Sequence, residues 1–237
     1  GGRGRLRKDN TLNRFTASCG QSIYRGDRLP SDLSGDLIIC EPVGRLIRRA
    51  KVINDKGRII VKNAYDKSEF IRATDPNFRP INSATGPDGC LYIVDMYRGI
   101  IQEGNWVRRG SYLRGVVQKY ELEKNIGRGR IFRVEHTTTK RGPKPKMLDE
   151  TPAQLVAHLS HPNGWWRSEA QKLIILAGDR SVVPALEKLA KSGKEALGRL
   201  HALWTLEGLN AVDAKLLKVA FQDTDARVRA GALRIAE

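Results

Sequence analysis

Near residue 140 the hydrophobic period of this chain changes from two to about 3.6 residues, so it has to build two kinds of structure in succession. Between residues 11 and 135, short apolar stretches are parted by turns bearing Gly, Asn, Asp and Pro: Leu37–Cys40, Leu46–Ile47, Ile59–Val61, Leu91–Val94 and Ile131–Val134. Each is of strand length. Asn54-Asp55-Lys56-Gly57 reads as a hairpin turn, and Gly86-Pro87-Asp88-Gly89 as a second tight turn in which Pro presets φ. An up-and-down antiparallel arrangement follows, most simply part of a propeller or a sandwich. Between about 95 and 126 the pattern loosens into an insertion that holds a short amphipathic helix at Tyr112–Lys119. Insertions of this length in compact β domains usually carry function.

Residues 136–148 form a polar, Pro-containing linker, and the architecture then changes. Thr151-Pro152-Ala153-Gln154 combines a capping Thr, Pro at the first helical position and Gln three residues after the cap. Helical spacing continues through Leu155 and Leu159, then Trp166, Ala170, Leu173, Ile174 and Ala177. Arg167, Arg199 and Arg229 open successive second helices at intervals of 32 and 30 residues, and first helices begin near Pro152, Val182 and Val212. That self-similarity predicts an α-solenoid. The opening Gly1-Gly2-Arg3-Gly4-Arg5, and an end that falls inside the third helical pair, read as a segment of a longer chain.

With 42 Lys+Arg against 26 Asp+Glu the net charge is +16, and residues 1–140 hold 27 of those cations against 15 acids. A polyanionic partner fits that balance. Nucleic acid is not the expected partner, because the cations are spread among strands and lack interleaved aromatics for base stacking. No apolar run approaches the ~20 residues that a membrane span needs. There is no Ser-His-Asp order, phosphate-cradling loop or dinucleotide-binding glycine pattern. No metal site is expected, since His136, His158, His161 and His201 lack ligand spacing beyond the pair His158 and His161.

Several segments are long and specific: Thr16-Ala17-Ser18-Cys19-Gly20, Ile23 to Pro30, Cys40-Glu41-Pro42, Phe78-Arg79-Pro80, and the run from Gly86-Pro87-Asp88-Gly89-Cys90 through Asp95-Met96-Tyr97-Arg98-Gly99 to Gln102. In these the chain resembles the membrane-bound dehydrogenase-like proteins of Planctomycetes and Verrucomicrobia. In that family a β-propeller similar to pyrroloquinoline-quinone (PQQ)-dependent glucose and sorbosone dehydrogenases precedes HEAT repeats and commonly a c-type cytochrome domain. The resemblance implies a multidomain β-then-α protein. Residues 1–135 would be the last one or two blades of an antiparallel propeller, 136–148 a linker and 149–237 a HEAT-repeat α-solenoid of about three hairpins. It implies an extracytoplasmic bacterial protein whose propeller oxidises a sugar or polyol with PQQ and calcium. Electrons would pass to haem c in a domain outside this chain, and the segment alone would be inactive. The alternative is a non-catalytic scaffold that binds glycan, protein or an anionic surface, with the HEAT repeats docking protein.

By the same resemblance Arg79, seven residues ahead of the Gly86 turn, matches a basic residue that grips the cofactor's carboxylates. A structural arginine on a strand is the other reading. Asp95, Tyr97 and Arg98 would line the mouth of the channel, or Asp95 and Arg98 would pair to pin the insertion. A cofactor-binding lysine that those enzymes carry near Pro42-Val43-Gly44-Arg45 has no clear counterpart, and Arg45 reads as an ordinary turn residue. Cys19 and Cys40, on adjacent strands, form a disulfide if the compartment is oxidising and are otherwise buried thiols. Cys90 has no evident partner and reads as core.

Overall fold

The computed structural model describes residues 7–8, 13–101, 104, 107–140 and 142–237. The opening Gly1–Arg5 stretch and Gln102 of the long motif lie outside these residues. The chain divides into two compact units: Gly1–Gly86 with Cys90–Lys140, and Pro87–Gly89 with Arg141–Glu237.

In the first unit the strands are β1 (Cys19–Ile23), β2 (Leu37–Glu41), β3 (Leu46–Asp55), β4 (Arg58–Asn63), β5 (Ile71–Arg72), β6 (Pro80–Thr85), β7 (Leu91–Asp95) and β8 (Arg130–Val134). They form two antiparallel sheets, one of five strands in the order β1-β2-β3-β4 with β5 also on β3, the other β6-β7-β8. The ten-residue β3 is longer than its neighbours. It therefore takes β5 against Leu46 and Ile47 and β4 against Ala50–Asp55. The predicted turn closes the β3–β4 hairpin, with Lys56 at φ 51° and Gly57 at φ 87°, and the Gly57 amide donating to Asn54 Oδ1 at 2.9 Å. Two left-handed residues in succession are what a tight hairpin with the sheet's own twist demands.

The core of this unit is Tyr24, Leu29, Leu33, Ile38, Cys40, Ile47, Phe78, Leu91 and Ile93, drawn from both sheets. Where β1 crosses β6, the Ser22 and Ser83 hydroxyls meet at 2.7 Å, and Ser83 Oγ donates to the Gly20 carbonyl at 3.2 Å. A Cβ on Gly20 would lie 2.2 Å from the Ile81 carbonyl oxygen, and its φ is +52°. Only glycine fits that crossing. The insertion holds α1 (Tyr112–Lys119), started by Ser111, and closes over Ile100, Val117 and Leu122.

The second unit is helical: α2 (Pro152–His158), α3 (Gly164–Ala177), α4 (Val183–Ser192), α5 (Ala196–Gly208), α6 (Ala214–Ala220) and α7 (Ala226–Ala236). The Thr151 and Gln154 capping box forms as expected, with both reciprocal bonds present. Each helix pair is closed by the same device. Arg167 donates to the His161 and Pro162 carbonyls, Arg199 to those of Gly193 and Lys194, and Arg229 to those of Asp223 and Thr224. Leu159, Ala170, Ile174, Leu186, Ala202, Leu206 and Ala232 belong to one shared core.

The expected partial β-propeller followed by an α-solenoid of HEAT repeats is overturned. Among the described residues there is no propeller-blade arrangement and no repeat solenoid. Equal four-stranded blades do not form because β3 takes two partners along one edge, leaving sheets of five and three strands. The helices are unequal, with first members of 7, 10 and 7 residues and second members of 14, 13 and 11, and they close on a single core. The recurring arginine is a local way to satisfy the carbonyls of an interhelical turn, and such a signature does not by itself build a superhelical array. Among the described residues no helix is long and apolar enough to cross a membrane.

Candidate functional site

The end of β7 organises the loop end of the first unit. Asp95 is buried, and its Oδ1 accepts from the Arg79 amide at 2.7 Å and the Tyr97 amide at 2.8 Å. Its Oδ2 is buried with no hydrogen-bond partner among the described residues. Arg79 is buried as well. Its Nε donates to the Arg98 carbonyl at 2.8 Å, Nη1 to the Pro42 carbonyl at 2.6 Å and more loosely to that of Val43, and Nη2 to the Gly99 carbonyl. Burial, with the Arg45 charge nearby, pulls its pKa down to about 10. The guanidinium thus ties β6 to the insertion and to the chain after β2. All three of its nitrogens donate to main-chain oxygens.

Among the described residues Arg98 does not pair with Asp95. Its carbonyl serves Arg79, and its own Nε is buried without a partner among the described residues. Arg45 sits at φ 56° and donates from Nε to the Pro76 carbonyl at 2.9 Å.

Tyr97 is the residue to which these contacts converge. Its φ of 48° lies in the left-handed region, a conformation that bulky side chains rarely hold unless their surroundings impose it. The Asp95 carboxylate holds its amide, and Asn125 Nδ2 donates to its carbonyl at 3.1 Å. The Arg130 guanidinium lies 3.3 Å from its ring centroid. Burial pushes the Asp75 pKa up, but bonds from Asn77 and Tyr97 and the Arg130 charge outweigh it and leave the carboxyl below its ordinary value.

Tyr97 also lines an open cavity of about 300 Å3 with Asn77, Tyr120, Glu121, Lys124, Asn125 and Arg128. Its walls are mostly polar. Glu121 is left-handed too, at φ 49°, and Lys124 Nζ pairs with its carboxylate at 2.7 Å. Tyr120 is exposed, with Lys119 Nζ 5.3 Å from its ring centroid. Amides, an exposed aromatic ring and cations around a space of this size suit a hydroxyl-rich ligand with an acidic group.

Of the residues singled out from sequence, Asp95, Tyr97, Arg98 and Arg79 do come together, and Tyr97 alone among them lines the cavity. Sequence reasoning missed Asn77, Asn125 and Arg128, which stand in loops without periodicity, and Arg130, the first residue of β8. Cys19 and Cys40 are register partners across β1 and β2 and are free thiols. Burial and the neighbouring Cys19 push the Cys40 thiol up to about 12, despite a bond with Ser83. Burial first, then the Glu41 charge, raises that of Cys19. Cys90 is a buried free thiol. Among the described residues no group of His, Cys, Asp and Glu could hold a metal ion.

A family model described as a domain of unknown function, DUF7133, matches residues 3–138. No curated protein and no solved structure matches the chain.

Proposed function

The chain belongs to the DUF7133 family, and from that premise we propose that its first unit is a recognition module that binds an acidic sugar unit of a glycan in the Tyr97 cavity. The observation that carries this reading is the pair of left-handed non-glycine residues, Tyr97 and Glu121, on the wall of one polar cavity. Such conformations cost of order 1–3 kcal/mol each and persist where function or surroundings hold them. Asn77 and Asn125 supply amide donors and acceptors for ring hydroxyls, and the exposed Tyr120 ring offers a face for stacking. Arg128, exposed and without an acidic partner among the described residues, is placed to take a carboxylate in a forked pair. Recognition, rather than turnover, is what these groups support. Arg79, which the sequence offered to a cofactor, is engaged with carbonyls.

A panel of neutral, uronic and sulfated saccharides, screened against the full chain by saturation-transfer NMR, tests the proposal. Acidic sugars bind, and Arg128→Ala weakens them about tenfold while sparing stability. Silence across the panel, or binding that Arg128→Ala leaves unchanged, overturns it.

A further inference from the structure

The outer half of the β3–β4 hairpin leaves its sheet. The register of β2 ends at Leu37 opposite Ala50, so from Lys51 to Asp55 β3 pairs with β4 alone. Isolated two-stranded ribbons are marginal in water, yet this one carries large apolar groups on both faces. Val52 and Val61 are opposed, with Ile59 beside them, and Ile53 opposes Ile60 on the other face. Val52 is 38% exposed, Ile53 40%, Val61 49% and Ile59 60%. Among the described residues no strand pairs with the outer edge of β4. Alternate residues there direct N–H and C=O groups away from β3.

Charge says what fits that edge. Lys51 and Lys62 are directly opposed across the strands, a like-charge pairing that destabilises a ladder unless an anion answers it. Lys51 reaches Asp36 at 2.9 Å. Lys62 has no acidic partner among the described residues, and the exposed Lys56 and Arg58 extend the basic stretch with Asp55 as its single acid. A second copy of the chain would bring the same cations edge to edge. A polyanion without amide groups or apolar side chains could answer the lysines and leave the ladder and the apolar rows unused.

We propose that the β4 edge is a docking site for an extended protein segment in which acidic and apolar residues alternate, added as a further antiparallel or parallel strand. Its carboxylates meet Lys62 and Arg58, and its apolar side chains cover Val61 and Ile59. The proposal does not depend on the Tyr97 cavity.

The test titrates the isotopically labelled full chain with a short capped peptide alternating Glu and Val, with a Lys and Val peptide as control. Amide shifts confined to β3 and β4 are expected from the acidic peptide alone. The double variant Arg58→Glu, Lys62→Glu should weaken it about tenfold or more, because rim charges are replaced by repulsive ones. Ile59→Thr, Val61→Thr keeps the charge and strand preference and should weaken it less. Circular dichroism checks that both variants remain folded. The proposal fails if neither peptide binds, if both bind alike, if the shifts fall elsewhere, or if sedimentation shows a dimer that occupies this edge. It also fails if heparin shifts the same amides while the acidic peptide does not.

Discussion

The arginines that bridge main-chain carbonyls reach different distances along the chain in the two units. In the helical unit each closing arginine reaches carbonyls five and six residues back along the chain. In the β unit Arg79 reaches the Pro42 carbonyl 37 residues away, and Asn125 reaches Tyr97 across 28. Left-handed non-glycine residues divide the same way. Among the described residues Arg45, Lys56, Lys67, Tyr97 and Glu121 belong to the first unit, while Asn210, a residue type that tolerates this conformation, stands alone in the second. The three interhelical turns therefore carry a donor of their own, although Arg199 also reaches Asp223 and Arg180 the Leu209 carbonyl further along the chain. The β unit holds unfavourable backbone conformations by long-range contacts, and unfavourable conformations are where a ligand can find a pre-shaped wall.

Arg79→Met breaks the contrast most sharply. It leaves the Pro42, Arg98 and Gly99 carbonyls without their donor, and buried orphans cost about 1–3 kcal/mol each, so a loss of roughly 4 kcal/mol is expected. Arg229→Met removes only exposed local bonds and should cost about 1 kcal/mol. Hydrogen exchange read by mass spectrometry separates the units, and equal losses would erase the distinction. Gly20→Ala comes next. With φ at +52° and a carbonyl oxygen 2.2 Å from the new Cβ, β1 must part from β6 at roughly 3 kcal/mol, seen as faster exchange in the first unit alone.

In the second unit Asp223→Ala removes a forked pair in which Arg199 Nε and Nη2 meet the two carboxylate oxygens at 2.6 and 2.7 Å. Both side chains are nearly buried, and a loss of about 2 kcal/mol follows. This pair also sets a pH response. The Arg199 bond holds the Asp223 carboxyl below its ordinary value, although burial opposes it. A carboxyl depressed on folding stabilises above its unfolded pKa of ~4, and that contribution is lost as pH falls through the folded value. Thermal melts of the wild type should therefore decline in the acid limb below about pH 4, with a shallower slope in Asp223→Ala. Matching slopes would remove Asp223 from the acid response.

What could be read from sequence followed the same division. The capping box at Thr151, the three closing arginines and the Asn54–Gly57 turn are written within a few residues of one another, and all take the local geometry their spacing implies. Their recurrence suggested a superhelix because local repetition looks alike in a true repeat array and in a small bundle with one core. The division of strands into sheets was hidden, since nothing near Ile71-Arg72 says that this short strand will share β3 with β4. At the site, Asp95 and Tyr97 were visible as polar residues ending a strand. Asn77, Asn125 and Arg128 have no pattern, and only the fold of the insertion brings them to Tyr97.

The smallest effect probes the backbone itself. Lys67 is exposed at φ 48° and Asn210 follows α5 at φ 51°. Glycine enters this region without the Cβ penalty but gives the unfolded chain more freedom, so the net gain depends on how poorly the native residue fits. Lysine fits the left-handed region worse than asparagine. Lys67→Gly should thus stabilise the first unit by about 0.5 kcal/mol, and Asn210→Gly should change the second by no more than a few tenths. Denaturant midpoints at unchanged slope measure both. A larger gain at Asn210 than at Lys67 would mean that the helical unit bears backbone strain of its own, and the β unit's strain would then lose its value as a marker of the binding wall.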